Sequence, residues 1–280
     1  DVPTYYQSVA TGSWSTASNW EIADNLSFTG AIVASTPPNN LNNAGIFIRS
    51  GSPITVSSTV TADQVTVDAS AVLTVGAGTL TIANGTGTDL TVTGTLQTNS
   101  ASANLIISAG ATAQVDGLFK ETTAVPAAVT ATGTITIGAA ATYEHNVNAG
   151  TIPTCTWTAG STCLLTGITG NAPGGLGQSF SNFTVNSTSL GAGGMNATGN
   201  LQTVNGNLTL VSTGTGSFRL SSGAGYALNV GGNIDVQGSS ELDFSSGGGT
   251  STVVVTGNVT QSGTSLIRKT STATITFTIN

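Results

Sequence analysis

Residues 206–261 read GNLTLVSTGTGSFRLSSGAGYALNVGGNIDVQGSSELDFSSGGGTSTVVVTGNVTQ, and the repeats in this stretch decide the fold. The phrase Gly-Asn-aliphatic opens the stretch at Gly206 and returns at Gly232 and Gly257, so successive copies stand about 25 residues apart. Each copy begins a unit with two further short apolar segments, which Gly and Ser turns separate. Repeats of this kind cannot bury an apolar face alone and are typical of solenoids, in which each coil packs on the next.

The same period occurs independently nearer the N-terminus. Val65, Leu90 and Val115 recur at this interval, and the same interval separates Leu80 from Leu105. Alternation of apolar and polar residues within the short segments indicates strands. The sequence therefore predicts an all-β fold, a three-sided parallel β-helix (solenoid) with about 25 residues per coil.

Two parts of the chain depart from this period. Residues 1–50 lack it and contain Trp14 and Trp20, so we predict a non-repetitive N-terminal cap or assembly segment with both indoles in its core. Residues 51–280 should form the solenoid, with irregular loops around residues 118–200, where Gly-rich stretches interrupt the strands.

Charge is scarce along the chain. Charged residues make up 6% of the sequence, against roughly 25% in an ordinary soluble domain. The net charge is −7, from 12 acidic and 5 basic residues, and the bases do not form a row that could neutralise a phosphate backbone. Nucleic acid is therefore disfavoured as a partner, and no apolar run approaches the roughly 18 residues of a membrane span.

The two cysteines, Cys155 and Cys163, stand close together in the segment CTWTAGSTC. This spacing predicts a short hairpin closed by a structural disulfide, with two reduced thiols as the alternative. A disulfide implies an oxidising compartment, so we expect an extracellular or cell-surface protein. The first residues contain no basic segment followed by an apolar one, so an export signal was either removed or never present.

Residues suited to catalysis are scattered. The densest acidic group is Asp235, Glu241 and Asp243, which we interpret as a surface patch rather than a catalytic pair or a calcium site. The single histidine, His145, follows Glu144 without a recognisable nucleophile, and we interpret it as a loop histidine that is solvated or hydrogen-bonded. We therefore predict that the protein is not an enzyme and has no catalytic residue, no metal site and no cofactor.

The repeat also predicts a row of charges. Alignment of the segments FRL, LDF and IRK places Arg219, Asp243 and Arg268 at the same outward position of three successive coils. We expect these side chains to form a surface ladder of alternating sign, which marks the register of the coils rather than a site.

Several motifs are similar to those of a known family. The opening TGSWSTASNW (residues 11–20), AGIFIRSG (44–51), the Thr/Val-rich run 54–82 and FSNFTVN (180–186) resemble secreted β-helix surface proteins of Bacteroidetes. The resemblance implies a right-handed parallel β-helix, export by the type IX route, and a role in adhesion, gliding or surface filaments. The C-terminal sorting domain typical of such proteins is missing from this sequence.

The sequence closes with STATITFTIN (residues 271–280), an alternating strand in which Ile275, Phe277 and Ile279 should point inward as an assembly strand. No capping turn follows it, so we hypothesise head-to-tail joining of copies of the chain. The resulting hypothesis is a secreted structural protein, the subunit of an adhesive extracellular filament or surface fibre.

Two alternatives remain open at this point. The chain could be a stalk fragment of a larger cell-surface adhesin, or a carbohydrate-binding or carbohydrate-active β-helix. Copies of the chain itself are the first candidate partner, and surface glycans are the second.

Overall fold

The computed structural model describes residues 4–122, 128–223 and 225–280. Within these ranges the chain is all-β, with 33 strands and one 3-10 turn at Ala17–Asn19. The chain divides into two compact units, Asp1–Ala141 and Thr142–Asn280, and each unit is a parallel β-solenoid. The predicted fold class, a three-sided parallel β-helix, is confirmed.

The first unit contains seventeen of the described strands, most of them three or four residues long. They are β1 (Tyr5–Ser8), β2 (Gly12–Ser13), β3 (Trp20–Ala23), β4 (Ile32–Val33), β5 (Gly45–Ile48), β6 (Ile54–Val56), β7 (Val60–Ala62), β8 (Val65–Val67), β9 (Val72–Val75), β10 (Thr79–Ile82), β11 (Leu90–Val92), β12 (Thr95–Thr98), β13 (Asn104–Ile107), β14 (Thr112–Val115), β15 (Leu118–Glu121), β16 (Ala128–Ala131) and β17 (Thr134–Ile137).

These strands lie on three faces. The first face has the order β17-β14-β11-β8-β5-β1-β3-β4, the second β15-β12-β9-β6-β2, and the third β16-β13-β10-β7. Leu80 pairs with Leu105, and Val65 with Leu90, as the repeat predicts. The next step differs: Leu90 pairs with Ala113 rather than with Val115, because that coil is two residues shorter.

The N-terminal segment closes one end of this unit with antiparallel strands. β1 pairs antiparallel with β3, and β3 with β4. Trp14 and Trp20 are buried with their ring centroids 5.0 Å apart, in an edge-to-face contact. Both indole N–H groups are satisfied, since Trp14 donates to the carbonyl of Pro38 at 2.9 Å and Trp20 to that of Trp14 at 2.8 Å. The two tryptophans thus fill the cap core, as the sequence predicts.

Residues 1–50 are nevertheless not separate from the solenoid. β1 pairs in parallel with β5, and β2 with β6, so this segment supplies strands to two of the faces. The boundary between the compact units falls after Ala141 instead of near residue 50. The sequence missed this because β2, β3 and β4 lie between β1 and β5, so the paired residues Tyr5 and Gly45 are farther apart in sequence than one repeat.

The second unit contains the remaining described strands. They are β18 (Thr142–His145), β19 (Thr156–Trp157), β20 (Thr162–Leu165), β21 (Ser179–Phe180), β22 (Asn182–Asn186), β23 (Met195–Asn196), β24 (Thr203–Val204), β25 (Leu208–Ser212), β26 (Phe218–Arg219), β27 (Ala227–Val230), β28 (Ile234–Val236), β29 (Glu241–Asp243), β30 (Thr250–Val255), β31 (Val259–Gln261), β32 (Leu266–Arg268) and β33 (Thr274–Ile279).

Parallel pairing again connects successive coils in this unit. The faces have the orders β18-β20-β22-β25-β28-β31, β21-β24-β27-β30-β33 and β23-β26-β29-β32. Leu208 pairs with Ile234, and Ile234 with Val259, which reproduces the spacing that the Gly-Asn phrases predict. Coils in the region expected to be irregular still pair in register, as Cys163 does with Phe183. The loops there are long, and the strands between them pair in parallel, with a register shift between Val185 and Asn186 where β22 meets β25.

The asparagines of the three Gly-Asn phrases, Asn207, Asn233 and Asn258, form an asparagine ladder with Asn182 at one corner of the second unit. The side-chain oxygen of Asn182 accepts the backbone N–H of Asn207 at 2.9 Å, and that of Asn207 accepts the N–H of Asn233 at 2.8 Å. The oxygen of Asn233 accepts the N–H of Asn258 at 2.8 Å. Each of these three oxygens therefore satisfies a backbone donor of the following coil at a point where the strands turn.

The glycines before Asn207, Asn233 and Asn258 make room for this ladder. A Cβ atom at Gly232 would overlap the Asn207 side chain and the Gly206 backbone, and one at Gly257 would overlap Asn233. The repeated Gly-Asn pair is thus explained by close approach of neighbouring coils.

Replacement of Asn207 or Asn233 by Ala should each lower the free energy of unfolding by about 1 kcal/mol, because one inter-coil hydrogen bond is lost. Asn229→Ala is the matched control, since Asn229 is exposed on β27 and its side chain makes no hydrogen bond among the described residues. Urea denaturation followed by circular dichroism measures the three variants. Equal stability of all three would show that the asparagine ladder contributes nothing.

Candidate functional site

The residues of the predicted charge ladder are in register, but the middle one, Asp243, is not at the surface. Strand pairing places Arg219 beside Asp243, and Asp243 beside Arg268, as the alignment of the repeats requires. Asp243, however, is 0% exposed, so the expectation of an outward surface position for it is wrong. Thr270, in the following coil, donates its hydroxyl to this buried carboxylate.

Hydrogen bonds surround the Asp243 carboxylate. It forms an ion pair with the Arg219 Nε at 3.1 Å, and it accepts the Thr270 hydroxyl at 2.6 Å and the Ser245 N–H at 3.1 Å. Burial raises the pKa of the nearby Tyr226 hydroxyl, and the Asp243 charge raises it further. The Tyr226 hydroxyl donates to the Phe244 carbonyl at 2.8 Å. A carboxylate held in this way braces the coils and has no lone pair directed at a ligand.

The other acids of the predicted patch have separate partners. Glu241 pairs with the Arg268 guanidinium at 2.6 Å, and Asp235 accepts the Thr260 hydroxyl at 2.7 Å. Asp235, Glu241 and Asp243 therefore do not converge on one point. Among the described residues, no group of three or more His, Cys, Asp or Glu side chains is placed to hold a metal ion.

The two cysteines form no disulfide in the structure. The predicted hairpin is also wrong, because β19 and β20 do not pair with each other and belong to different sheets. The chain turns a corner at Gly160, where φ is +93°, and Cys163 then points into the core between Tyr143 and Phe183. Burial raises the pKa of the Cys163 thiol well above its ordinary value, with a smaller contribution from Cys155.

His145 is buried in β18 and is neither solvated nor in a loop. Its Nε2 lies 2.7 Å from the carbonyl oxygen of Ala149, and its Nδ1 lies 3.0 Å from the Tyr143 hydroxyl. The carbonyl can only accept, so Nε2 carries the proton and Nδ1 accepts the hydroxyl proton of Tyr143. The imidazole thus closes the turn that follows β18.

The last coil, formed by β31, β32 and β33, has apolar side chains at its outer edge. Ile275, Phe277 and Ile279 lie in register with Ser251, Val253 and Val255 of β30, which are all buried. Phe277 is nevertheless 38% exposed and Ile279 56% exposed, because no described strand packs over β33. Leu266 of β32 is also exposed, so the apolar edge includes a second face of the coil.

The backbone of β33 also has an open edge. Asn280 donates its N–H to the Val255 carbonyl at 2.9 Å. Successive N–H groups of a strand point to opposite edges, so the amides of Phe277 and Ile279 point away from β30. Within the described chain no strand accepts them.

The N-terminal cap has an open edge as well. β4 is the edge strand of its sheet, and its residues Ile32 and Val33 are 64% and 61% exposed. A shallow cavity of about 390 Å³ lies beside it, lined in part by Ile22, Ala23 and Asp24. The sequence did not single out these residues, because the cap has no repeat from which the inward or outward orientation of a side chain can be predicted.

Sequence reasoning also missed a second cavity, of about 360 Å³, beside Trp157 in the second unit. Its lining includes Trp157, Gly160, Ser181, Asn182 and Asn205. These residues come from three successive coils, so no local motif connects them.

Comparisons with protein family models, with curated proteins and with solved structures find no match to this chain. The described residues contain no helix of the length and apolarity that crossing a bilayer requires. The fold therefore defines the class of the protein, a β-solenoid.

The buried Asp243 and the more exposed Glu241 provide a test of the charge ladder. Asp243→Asn should lower the free energy of unfolding by about 2 kcal/mol, because a largely buried guanidinium loses its counter-ion. Glu241→Gln should cost less than about 1 kcal/mol, because the side chain of its partner Arg268 is 49% exposed. Urea denaturation at neutral pH compares them, and equal losses would contradict the burial of Asp243.

The cysteines should behave as one slowly reactive and one protected thiol. In protein purified without reductant, a disulfide-exchange reagent at neutral pH should modify the half-buried Cys155 slowly and should spare Cys163 until the protein unfolds. The folded state keeps the Cys163 proton above the pH at which an unfolded thiol ionises, so stability should fall as pH rises above about 8.5. The absence of titratable thiols after unfolding would instead reveal a disulfide.

Proposed function

We propose that the protein is a secreted structural subunit whose copies join head to tail into an adhesive extracellular fibre. The observation that carries this proposal is the outer edge of the last coil, where apolar side chains and backbone amides of β33 stand exposed together. In the interior of each unit, another coil covers the corresponding apolar side chains and backbone amides of each strand. The occupant that we propose for this edge is a coil of another copy.

The chemistry of the edge suits strand addition. Phe277, Ile279 and Leu266 offer apolar surface, and their burial would contribute roughly 3 kcal/mol. The amides of Phe277 and Ile279 would gain carbonyl partners from an incoming parallel or antiparallel strand. At the cap, β4 presents Ile32 and Val33 beside its own open edge, which makes it the candidate partner surface on the next copy.

A contact between two different surfaces of identical chains repeats without closing unless its rotation closes a ring. This geometry favours a fibre over a closed dimer. The adhesive role and the extracellular location rest on the sequence resemblance, because Cys155 and Cys163 form no disulfide that would support an oxidising compartment.

A specific alternative concerns the same edge. If the chain is a stalk within a larger adhesin, further coils of the same polypeptide would cover β33. Mass spectrometry of the native chain distinguishes these cases, since a stalk predicts a mass above the 27.6 kDa of these residues.

A single substitution tests the assembly. Ile279→Pro removes an amide that points to the open edge, so it should block strand addition while leaving the pairing of β33 with β30 intact. Ile279→Val is the matched control, because it keeps both the amide and an apolar side chain. Size-exclusion chromatography with light scattering and negative-stain microscopy should show fibres for the unchanged protein and for Ile279→Val, and monomers for Ile279→Pro.

Three outcomes would overturn the proposal. The unchanged protein could stay monomeric at the highest concentration reached, or fibres could persist in Ile279→Pro. Association that stops at two copies would contradict the head-to-tail geometry, because it indicates that the edge binds its own counterpart.

A further inference from the structure

We propose that the cavity beside Trp157, here named the Trp157 groove, binds a neutral oligosaccharide without cleaving it. The groove is formed by Trp157, Gly160, Ser181, Asn182, Asn205 and Gly206, with a volume of about 360 Å³. This inference goes beyond fibre assembly and does not require it, since every residue of the groove lies far along the sequence from the last coil.

The indole of Trp157 is held in a fixed orientation. Its N–H donates to the Gln178 side-chain oxygen at 3.1 Å, and the same oxygen accepts the Cys155 amide at 2.9 Å. The Gln178 amide nitrogen donates to the carbonyls of Pro153 at 3.1 Å and Gly175 at 2.9 Å. Four hydrogen bonds therefore fix the Gln178 side chain. One of them is the bond from the indole N–H, which fixes the orientation of the Trp157 ring.

Aromatic packing supports the same ring from inside. The Phe180 ring lies 5.0 Å from the Trp157 ring, and the Tyr143 ring lies 6.2 Å away in an edge-to-face arrangement. Trp157 is nevertheless only half-buried, whereas Trp14 and Trp20 are fully buried. A partly exposed aromatic ring that is already ordered provides a stacking surface at little entropic cost on binding.

Polar groups line the same groove. The exposed Asn205 lies in the turn between β24 and β25, and its side-chain amide makes no hydrogen bond to any described residue. The Ser181 hydroxyl accepts the Gly160 N–H at 2.8 Å, and the Ser181 side chain is buried in the wall of the groove. The groove therefore offers, in Asn205, an exposed side-chain amide that both donates and accepts hydrogen bonds.

The chemistry of these groups selects the class of ligand. The lining contains no Asp, Glu, Lys, Arg or His, so it offers no counter-ion to a charged ligand. Amides and a hydroxyl make it too polar for a lipid chain. A neutral sugar matches both features, because its C–H face packs on an aromatic ring while its hydroxyl groups exchange hydrogen bonds with amides.

The absence of a carboxylate from the lining determines what the groove can do to such a ligand. Glycoside hydrolysis needs two carboxylates that flank the scissile bond. The Trp157 groove has none, so it binds sugar and leaves the glycosidic bond intact.

Titration with defined sugars tests this proposal on the full chain. The probes are maltohexaose, cellohexaose, xylohexaose, mannohexaose and N-acetylchitohexaose, and the readouts are isothermal calorimetry and tryptophan fluorescence. At least one probe should release heat and change the fluorescence, because Trp157 is the tryptophan among the described residues that is not fully buried. Trp157→Ala should weaken binding of that probe by at least about tenfold, and Asn205→Ala by several-fold.

Matched variants separate binding from folding. Gln202→Ala removes an exposed amide outside the groove and should bind as tightly as the unchanged protein. Trp157→Phe keeps an aromatic core and should retain weakened binding, while losing the fluorescence response. Thermal unfolding identifies variants that do not fold. If Trp157→Ala is one of them, the affinity of Asn205→Ala compared with that of Gln202→Ala tests the proposal.

The proposal is wrong if none of the five probes binds, or if Asn205→Ala binds as tightly as Gln202→Ala. Ile279→Pro should bind the same probe unchanged, so a failure of fibre assembly and a failure of sugar binding give different patterns.

Discussion

Every feature of this protein depends on the need to satisfy the backbone hydrogen bonds of short strands. A strand of three or four residues has too few groups to be stable alone, and it cannot fold back on its predecessor because the chain turns onto another face. Its N–H and C=O groups are instead satisfied by the equivalent strands of the coils before and after it. The side chains then stack in register, so that Leu208, Ile234 and Val259 form one continuous apolar row.

At the corners between strands, backbone groups lack the partners that neighbouring strands provide elsewhere. Specific side chains form hydrogen bonds with these groups. At the corners before β25, β28 and β31, asparagine oxygens of the preceding coil accept backbone amides, and the glycines that precede Asn207, Asn233 and Asn258 let neighbouring coils approach. At the corner after β29, the buried Asp243 carboxylate binds Thr270 and Ser245. The corner after β18 uses His145 in the same manner. Polar residues of the types found in catalytic sites thus stabilise the backbone of this protein through hydrogen bonds.

The sequence predicted the features that follow directly from its repeat length. The repeated Gly-Asn phrases indicated the coil length in the second unit, and the alignment of Arg219, Asp243 and Arg268 identified the correct strand neighbours. The burial of a particular side chain was not predictable from the sequence. The burial of Asp243, for example, depends on its contacts with the following coil. The hairpin around Cys155 and Cys163 failed for a related reason: a tight turn looks the same locally whether the chain folds back or turns a corner. The Trp157 groove combines residues of three coils, and no single segment of sequence contains its pattern.

The pattern of amide protection tests most directly whether coil-to-coil pairing organises the backbone. Residue-resolved hydrogen exchange on the monomer should give slow exchange for the amides of β25 and β28, which lie between other coils. Along β33, protection should alternate: slow at Thr278 and Asn280, whose amides face β30, and fast at Phe277 and Ile279, whose amides face outward. Rapid exchange throughout β28, or uniform protection along β33 in the monomer, would contradict the account.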